Sequence, residues 1–251
     1  MKIRANEVWF TSDLHFWHKN ICKYCNRPFK TVEEMNQAII DNWNSVVKDD
    51  DVVFVLGDIG FCGMERLRPL VSQLKGNIYL IQGNHDSDNV AEALYREGYI
   101  VNYSRLELIT IIEDEECPNQ DLTLCHFPMI DWYNKEKGAW MIHGHQHQMP
   151  DTPSCSVKHW DVGLDKNGLK PISFDQLKIN ITKQFVNRNM PQMVGAIVRK
   201  GKNPLGDKMF ELFQEYTNIT LKTTIDLITP GMKRILDNPY TIKIERSIID
   251  E

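Results

Sequence analysis

Five short apolar runs between residues 8 and 147 each end in a small cluster of polar residues able to bind metal, and this recurrence restricts the fold more than any other feature of the chain. Val8-Trp9-Phe10-Thr11 runs into Ser12-Asp13-Leu14-His15, and Val52-Val53-Phe54-Val55-Leu56 stops at Gly57-Asp58. Ile78-Tyr79-Leu80-Ile81 leads to Gly83-Asn84-His85-Asp86, Leu122-Thr123-Leu124-Cys125 to His126, and Ala139-Trp140-Met141-Ile142 to His143-Gly144-His145-Gln146-His147. Runs this short, rich in β-branched and aromatic residues, have the character of buried strands. Open α/β sheets place ligands beyond the carboxyl ends of their strands, so five polar-ended strands predict one shared rim.

Helical periodicity fills the gaps between the early runs. Thr31 and Glu34 form a capping box ahead of Met35, Ile39, Trp43 and Val46 or Val47, which recur at helical spacing. A second helix is expected over about Met64–Lys75, with Leu67, Val71 and Leu74 on one stripe and a break near Pro69, and a third over about Asn89–Glu97. Strand then follows strand through Leu106–Ile112, 122–125 and 139–142, so the second half is expected to be more nearly all-β. From about Phe185 the chain changes character: Pro191, Gly195, Gly201, Pro204 and Gly206 precede an amphipathic stretch, Lys208–Tyr216, and a Thr/Ile-rich run. The expected organisation is a main domain over 1–180 and a small α+β extension over 181–251, whose role the sequence leaves open.

A chain of 251 residues with 42% hydrophobic content can bury one substantial core with sequence to spare. No stretch approaches the roughly 18 apolar residues that span a bilayer, and no leader-like apolar segment follows the first basic residues, so a cytoplasmic protein without a membrane partner is expected. Six scattered cysteines suit reduced thiols; Cys22-Lys23-Tyr24-Cys25 has the spacing of half a zinc knuckle, with no second pair at finger-like distance. The net charge of −5 divides into −8 over residues 1–180 (18 Lys/Arg against 26 Asp/Glu) and +3 over 181–251 (11 against 8). A basic tail could meet a polyanion such as a nucleic acid, although a mixed solvated surface is the simpler reading.

Taken singly, each polar cluster has an ordinary explanation as a turn or a satisfied core histidine. Jointly, Asp13, His15, Asp58, Asn84, His126, His145 and His147 offer seven donors at strand ends, enough for two ions. Imidazole mixed with carboxylate and amide oxygen suits Mn²⁺, Fe, Zn²⁺ or Ni²⁺ better than Mg²⁺ or Ca²⁺, which prefer oxygen-only shells. Two such ions about 3.5–4 Å apart can share a carboxylate and a bridging hydroxide and clamp a phosphate. Asp13, Asp58 and the hydroxide leave such a site about one positive charge in excess, which attracts phosphate to an otherwise acidic body.

The order Asp13-x-His15, Gly57-Asp58, Gly83-Asn84-His85-Asp86, His126, Gly144-His145-x-His147 resembles the calcineurin-like metallophosphoesterase superfamily, over about residues 8–165. The resemblance implies an α/β fold, a four-layer αββα sandwich of two facing mixed sheets flanked by helices. It implies that Asp13, His15, Asp58 and His147 hold one ion and Asp58, Asn84, His126 and His145 the other, with Asp58 as the bridge. His85 would be the general acid or phosphate-orienting histidine, with Asp86 fixing its tautomer. Phe10-Thr11-Ser12-Asp13-Leu14-His15-Phe16-Trp17-His18-Lys19-Asn20, Arg27-Pro28-Phe29 and Val162-Gly163-Leu164-Asp165 before Pro171-Ile172 are similar to small bacterial and phage phosphoesterases of this superfamily. In that comparison His18 and Arg27 are candidates to contact the substrate phosphate, and Trp17 departs from an expected glycine.

The implied activity is metal-dependent hydrolysis of a phosphomonoester or phosphodiester, on a small nucleotide-like substrate, with two divalent transition ions, Mn²⁺ foremost and Fe, Ni²⁺ or Zn²⁺ as alternatives. A nuclease acting on DNA or RNA and a non-catalytic binding module on the same fold are the competing readings. The sequence is silent on oligomeric state.

Overall fold

Each of the five polar-ended runs forms a strand in the computed structural model, which describes residues 1–112, 119–147 and 158–184. In chain order the elements are β1 (Lys2–Arg4), β2 (Val8–Thr11), α1 (Ile21–Tyr24), α2 (Val32–Asn44), β3 (Val52–Val55), α3 (Met64–Val71) and β4 (Asn77–Ile81). There follow α4 (Asp88–Arg96), β5 (Asn102–Ser104), β6 (Leu106–Ile112), β7 (Gln120–Cys125), β8 (Trp140–His143), β9 (His159–Asp161) and β10 (Ile172–Ser173). A last helical run occupies 174–184.

The strands make two mixed five-stranded sheets, ordered β10-β2-β3-β4-β5 and β1-β6-β7-β8-β9. In the first, β2, β3, β4 and β5 are parallel and β10 is antiparallel to β2. In the second, β7, β8 and β9 are parallel and β6 is antiparallel to β7. Two mixed sheets with helices are the sandwich that the resemblance implies.

Register decides what each face of the first sheet meets. Trp9, Val53 and Ile78 lie side by side and turn toward the core with Met35, Ile39 and Trp43 of α2, Leu67 and Val71 of α3, and Ala91 and Leu94 of α4. One residue along, Phe10, Phe54 and Tyr79 form the row on the opposite face, their rings 5.8 and 5.3 Å apart in sequence. The period-2 pleat makes this division obligatory, because a slip of one residue would move the aromatic row into the helix layer. On the second sheet, Trp132, Ala139 and Met141 form a separate buried cluster with Cys125 and Met129.

The helices keep their expected places with small corrections. The Thr31 hydroxyl accepts from Glu34 N–H at 3.1 Å, whereas the Glu34 carboxylate reaches Lys30 N–H at 2.9 Å, one residue earlier than a strict capping box. The helix expected to reach Lys75 runs through Pro69 and stops at Val71, after which Gln73 N–H turns to Leu70 O and Leu74 N–H to Val71 O, a tighter spacing than the helix keeps. β1, β5, β9 and β10 were not anticipated; at two or three residues they are too short to show a period. The helical run over 174–184 also departs from the expectation of a β-rich second half.

Backbone proximity groups Met1–Ile111 with Gln120–Leu177 in one compact unit. The α+β reading of the extension falls on 185–251, outside the described residues. Among the described residues no helix is long and apolar enough to cross a membrane.

Candidate metal centre

The loops leaving β2, β3, β4, β7 and β8 carry all seven expected donors, and the structure brings them together inside the first unit. Their backbones are unusual. Asp13, His15, Asp58, His145 and His147 have φ between +50° and +72°, the left-handed region that side chains other than glycine seldom occupy. Each such residue costs about 1–2 kcal/mol and persists only where surrounding bonds over-determine it. Those bonds are present: Asp13 N–H donates to Gly57 O at 3.0 Å, His15 N–H to Asp58 O at 2.9 Å, and His145 N–H to the Asp13 carboxylate at 3.0 Å. Two glycines let the loops close, since a Cβ on Gly83 would overlap the Asp58 carboxylate and one on Gly57 would come within 2.5 Å of His126 Nδ1.

The donors fall into two groups that meet at Asp58, with Asp13 also within 4.8 Å of Asp58 and His126. In one, Asp13, His15 and His147 gather their ligand atoms within 4.8 Å, with His15 Nε2 3.3 Å from His147 Nε2. In the other, His126 Nε2 lies 3.0 Å from Asn84 Oδ1 and 3.2 Å from His145 Nδ1. Asp58 Oδ2 is 3.6 Å from His15 Nε2 and also 3.6 Å from His126 Nε2, so a single carboxylate oxygen faces both groups.

The donor set fits a pair of cations on its own hydrogen bonding. Leu56 O can only accept, so the His126 Nδ1 that meets it at 2.7 Å carries a proton, and Nε2 is the nitrogen turned into the centre. Nε2 faces the Asn84 and Asp58 oxygens, so one ion could be held by all three atoms. In His147, Nδ1 donates to Asp165 at 2.7 Å and Nε2 faces Asp13 Oδ1 at 3.7 Å, which leaves Nε2 as the nitrogen that an ion would take in exchange for its proton. Asp13 Oδ1 is buried without a hydrogen-bond partner, which is costly unless a cation answers it.

Charge follows burial. Burial pushes the Asp13 carboxyl up, against the pull of His147 and His126. Burial, reinforced by His147 and Arg27, pushes His15 down to about 2, so its ring stays neutral and able to ligate. His145 is also lowered, by burial and then by His126. For His147 burial works against the charge, but the bond to Asp165, with Cys25 and Asp13, outweighs it and pushes the group up to about 10.

The remaining expected residues are distributed differently. His85 is exposed at the mouth of the centre, its ring 5.5 Å from that of His15, and its backbone N–H donates to Asp58 Oδ1 at 2.9 Å. His18 stacks on Phe61 at 4.5 Å and lies 5.1 Å from the His15 ring. The expectation that Asp86 orients the His85 ring is corrected: its carboxylate accepts from the backbone N–H groups of Asp58, Ile59 and Gly83 at 2.7–3.0 Å and props the metal loops instead. Arg27 likewise has no donor left for a substrate phosphate. It is 5% exposed, with its five N–H groups committed to Asp165, Leu14 O, Asp13 O and Met35 Sδ. His159 is 3% exposed and meets His143 at 2.9 Å.

Trp17 has φ +63°, a conformation that would suit the glycine expected there. Its N–H groups compensate, donating to Asn36 Oδ1 and to Arg66 O at 3.1 Å each. Three residues were given no role from sequence: Asp165, in the quoted Val-Gly-Leu-Asp motif, and Phe61 and Phe127, which are 52% and 45% exposed beside the histidines.

The chain matches the family model described as calcineurin-like phosphoesterase over residues 7–149. It is 34% identical to the uncharacterized protein MJ1445 of Methanocaldococcus jannaschii over 191 residues, covering 73% of this chain and 96% of that protein. The gene 66 protein of Mycobacterium phage L5 is 31% identical, covering 57% of this chain and 78% of that protein. Among solved structures, a protein of unknown function, AQ665 from Aquifex aeolicus, shares the fold with a TM-score of 0.51 at 24% identity, over 66% of this chain and 94% of that one.

Proposed function

We propose, from the premise that this chain belongs to the calcineurin-like phosphoesterase family, that it is a metal-dependent hydrolase of phosphate esters and that its substrate is a small nucleotide-like ester. The observation that carries this reading is the placement of Asp58 Oδ2 at 3.6 Å from a histidine nitrogen of each donor group. A carboxylate oxygen shared in this way is what a pair of ions acting together requires. Asp13, His15, Asp58 and His147 would hold one ion, and Asp58, Asn84, His126 and His145 the other. Divalent transition ions, Mn²⁺ foremost, supply Lewis acidity toward phosphoryl oxygens and acidify water.

The protein's own groups supply the rest. The His85 ring, exposed and anchored through its backbone to Asp58, would give a proton to the leaving-group oxygen. Phe61 lies edge-on to His85 at 5.3 Å and flat against His18 at 4.5 Å, while Phe127 lies 4.8 Å from His145. Exposed aromatic rings beside a phosphate site favour a planar base over a sugar or lipid, since base–aromatic stacking contributes about 1–3 kcal/mol per base.

The test is hydrolysis of p-nitrophenyl and bis-p-nitrophenyl phosphate, then of nucleotides and alkyl phosphates, by protein reconstituted with Mn²⁺, Ni²⁺, Zn²⁺ or Fe²⁺. Turnover that needs metal, with lower KM for nucleotides than for alkyl phosphates, supports the reading. No metal-dependent turnover of any ester would leave a binding module on the same fold as the better account.

A further inference from the structure

We propose that Arg27 and Asp165 are a positioning pair for one ion only, the ion held by Asp13, His15 and His147. The inference rests on the two-ion reading above, and the geometry behind it is asymmetric. The Arg27 guanidinium donates through Nη2 to Asp13 O at 2.6 Å and through Nη1 to Leu14 O at 2.9 Å. These are the carbonyls of the short segment that carries Asp13 and His15 into their left-handed conformations. The same guanidinium clamps Asp165 through Nε and Nη2 at 2.7 and 3.0 Å, and Asp165 accepts from His147 Nδ1 at 2.7 Å. One buried cation therefore fixes the backbone under two ligands and, through a carboxylate, the ring of the third.

Asp165 also sets which nitrogen of His147 can ligate. A carboxylate can only accept, so Nδ1 keeps its proton and Nε2, which faces Asp13 and His15, is the nitrogen that an ion would take in exchange for a proton. The other donor group uses different supports. His126 is fixed by Leu56 O, and Asp58 by backbone bonds that Asp86 organises. Neither Arg27 nor Asp165 hydrogen-bonds to Asp58, Asn84, His126 or His145. Cys25 also gathers within 4.8 Å of His147 and Asp165, but the charge of Arg27 on Asp165 opposes a third cation there.

Groups that orient a metal-bound histidine typically change metal affinity by about 10–100-fold when removed. The experiment is Mn²⁺ titration of metal-free wild type, Asp165→Asn, Arg27→Lys and the double variant Arg27→Met/Asp165→Leu. Stoichiometry is followed by calorimetry and mass spectrometry, and exchange coupling between ions by electron paramagnetic resonance. Wild type is expected to bind two coupled ions. Each variant is expected to retain one ion at wild-type affinity and to bind the second about 10–100-fold more weakly, with the coupled signal lost and an isolated Mn²⁺ signal in its place.

The double variant removes both charges and leaves neither buried alone, so it separates positioning from folding should either single variant unfold. Variants that bind two coupled ions as tightly as wild type, or that lose both ions in parallel, overturn the inference while the two-ion reading stands. Wild type that never binds a second ion overturns the two-ion reading itself.

Discussion

His145 N–H donates to the Asp13 carboxylate at 3.0 Å, and this bond ties the loop after β8 to the loop after β2. The two residues belong to different sheets, so the donors assemble only when both sheets are in place. Ion binding is therefore linked to folding. An ion present at 100 times its Kd stabilises the native state by about 2.7 kcal/mol. Calorimetry should show a Tm that rises with Mn²⁺ concentration and falls on chelation; a Tm indifferent to both would mean that the donors do not bind Mn²⁺ in the folded state.

Asp58 and His85 should separate on mutation although they are joined by a bond of 2.9 Å. Asp58→Asn takes the shared charge from both donor groups and is expected to lose bound metal together with nearly all activity. His85→Ala keeps the backbone N–H that meets Asp58, so it should bind metal normally and lose about 10²–10⁴-fold in kcat, the range for removing a general acid. Metal analysis beside steady-state kinetics checks both, and parallel metal loss in His85→Ala would argue against the acid role.

Phe61 is expected to act on substrate choice. Phe61→Ala, at a half-exposed position, should fold normally and raise KM for nucleotides by about 5–100-fold, the equivalent of one lost stacking contact, with a smaller change for alkyl phosphates. An equal change for both substrate types would remove the stacking argument.

Asp161 gives a pH dependence of known sign. Burial, with Asp13 nearby, pushes its carboxyl up to about 7, so between about pH 4 and 7 the folded state holds a proton that the unfolded state has released. Its contribution to stability is present below pH 4 and is lost as pH rises through 7. Metal-free protein should lose stability over that window by as much as about 4 kcal/mol, and Asp161→Asn, which can still accept from Gly163 N–H, should flatten the loss. Denaturant unfolding at pH 5 and pH 8 measures it, with equal shifts at the two pH values counting against the assignment.

Gly144→Ala should destabilise the fold and the centre together. The added methyl would overlap Ser12 Oγ, already bonded to Leu56 O at 2.6 Å, and press to 2.7 Å from the Asp13 carboxylate. Overpacking of this kind costs about 1–3 kcal/mol. A lowered Tm and weakened Mn²⁺ binding are expected; a variant unchanged in both would show that the loop yields.

The strand ends were legible because a buried strand announces itself as a short apolar run and a metal donor as His, Asp or Asn at its end. Asp58 and His126, 68 positions apart in the chain, therefore needed no contact information to be assigned to one site. The supports were not legible. Asp86 next to His85 suggested a bond to its neighbour's ring, but its oxygens turn to backbone N–H groups, and a carboxylate's direction is set by loop geometry. Arg27 offered a phosphate-binding fork, yet burial committed that fork to Asp165, 138 residues away.

The left-handed backbone at five of the seven donors bears on which residues could ever stand there. Aspartate, asparagine and histidine are the side chains beyond glycine that enter that region most readily, and they are also the ones that offer oxygen and imidazole to a transition ion. Glutamate and cysteine have donors of comparable chemical merit but not that conformational tolerance. The vocabulary of the centre is thus chosen twice, once by the ion and once by the bend of the chain, and a redesign for another metal must satisfy both.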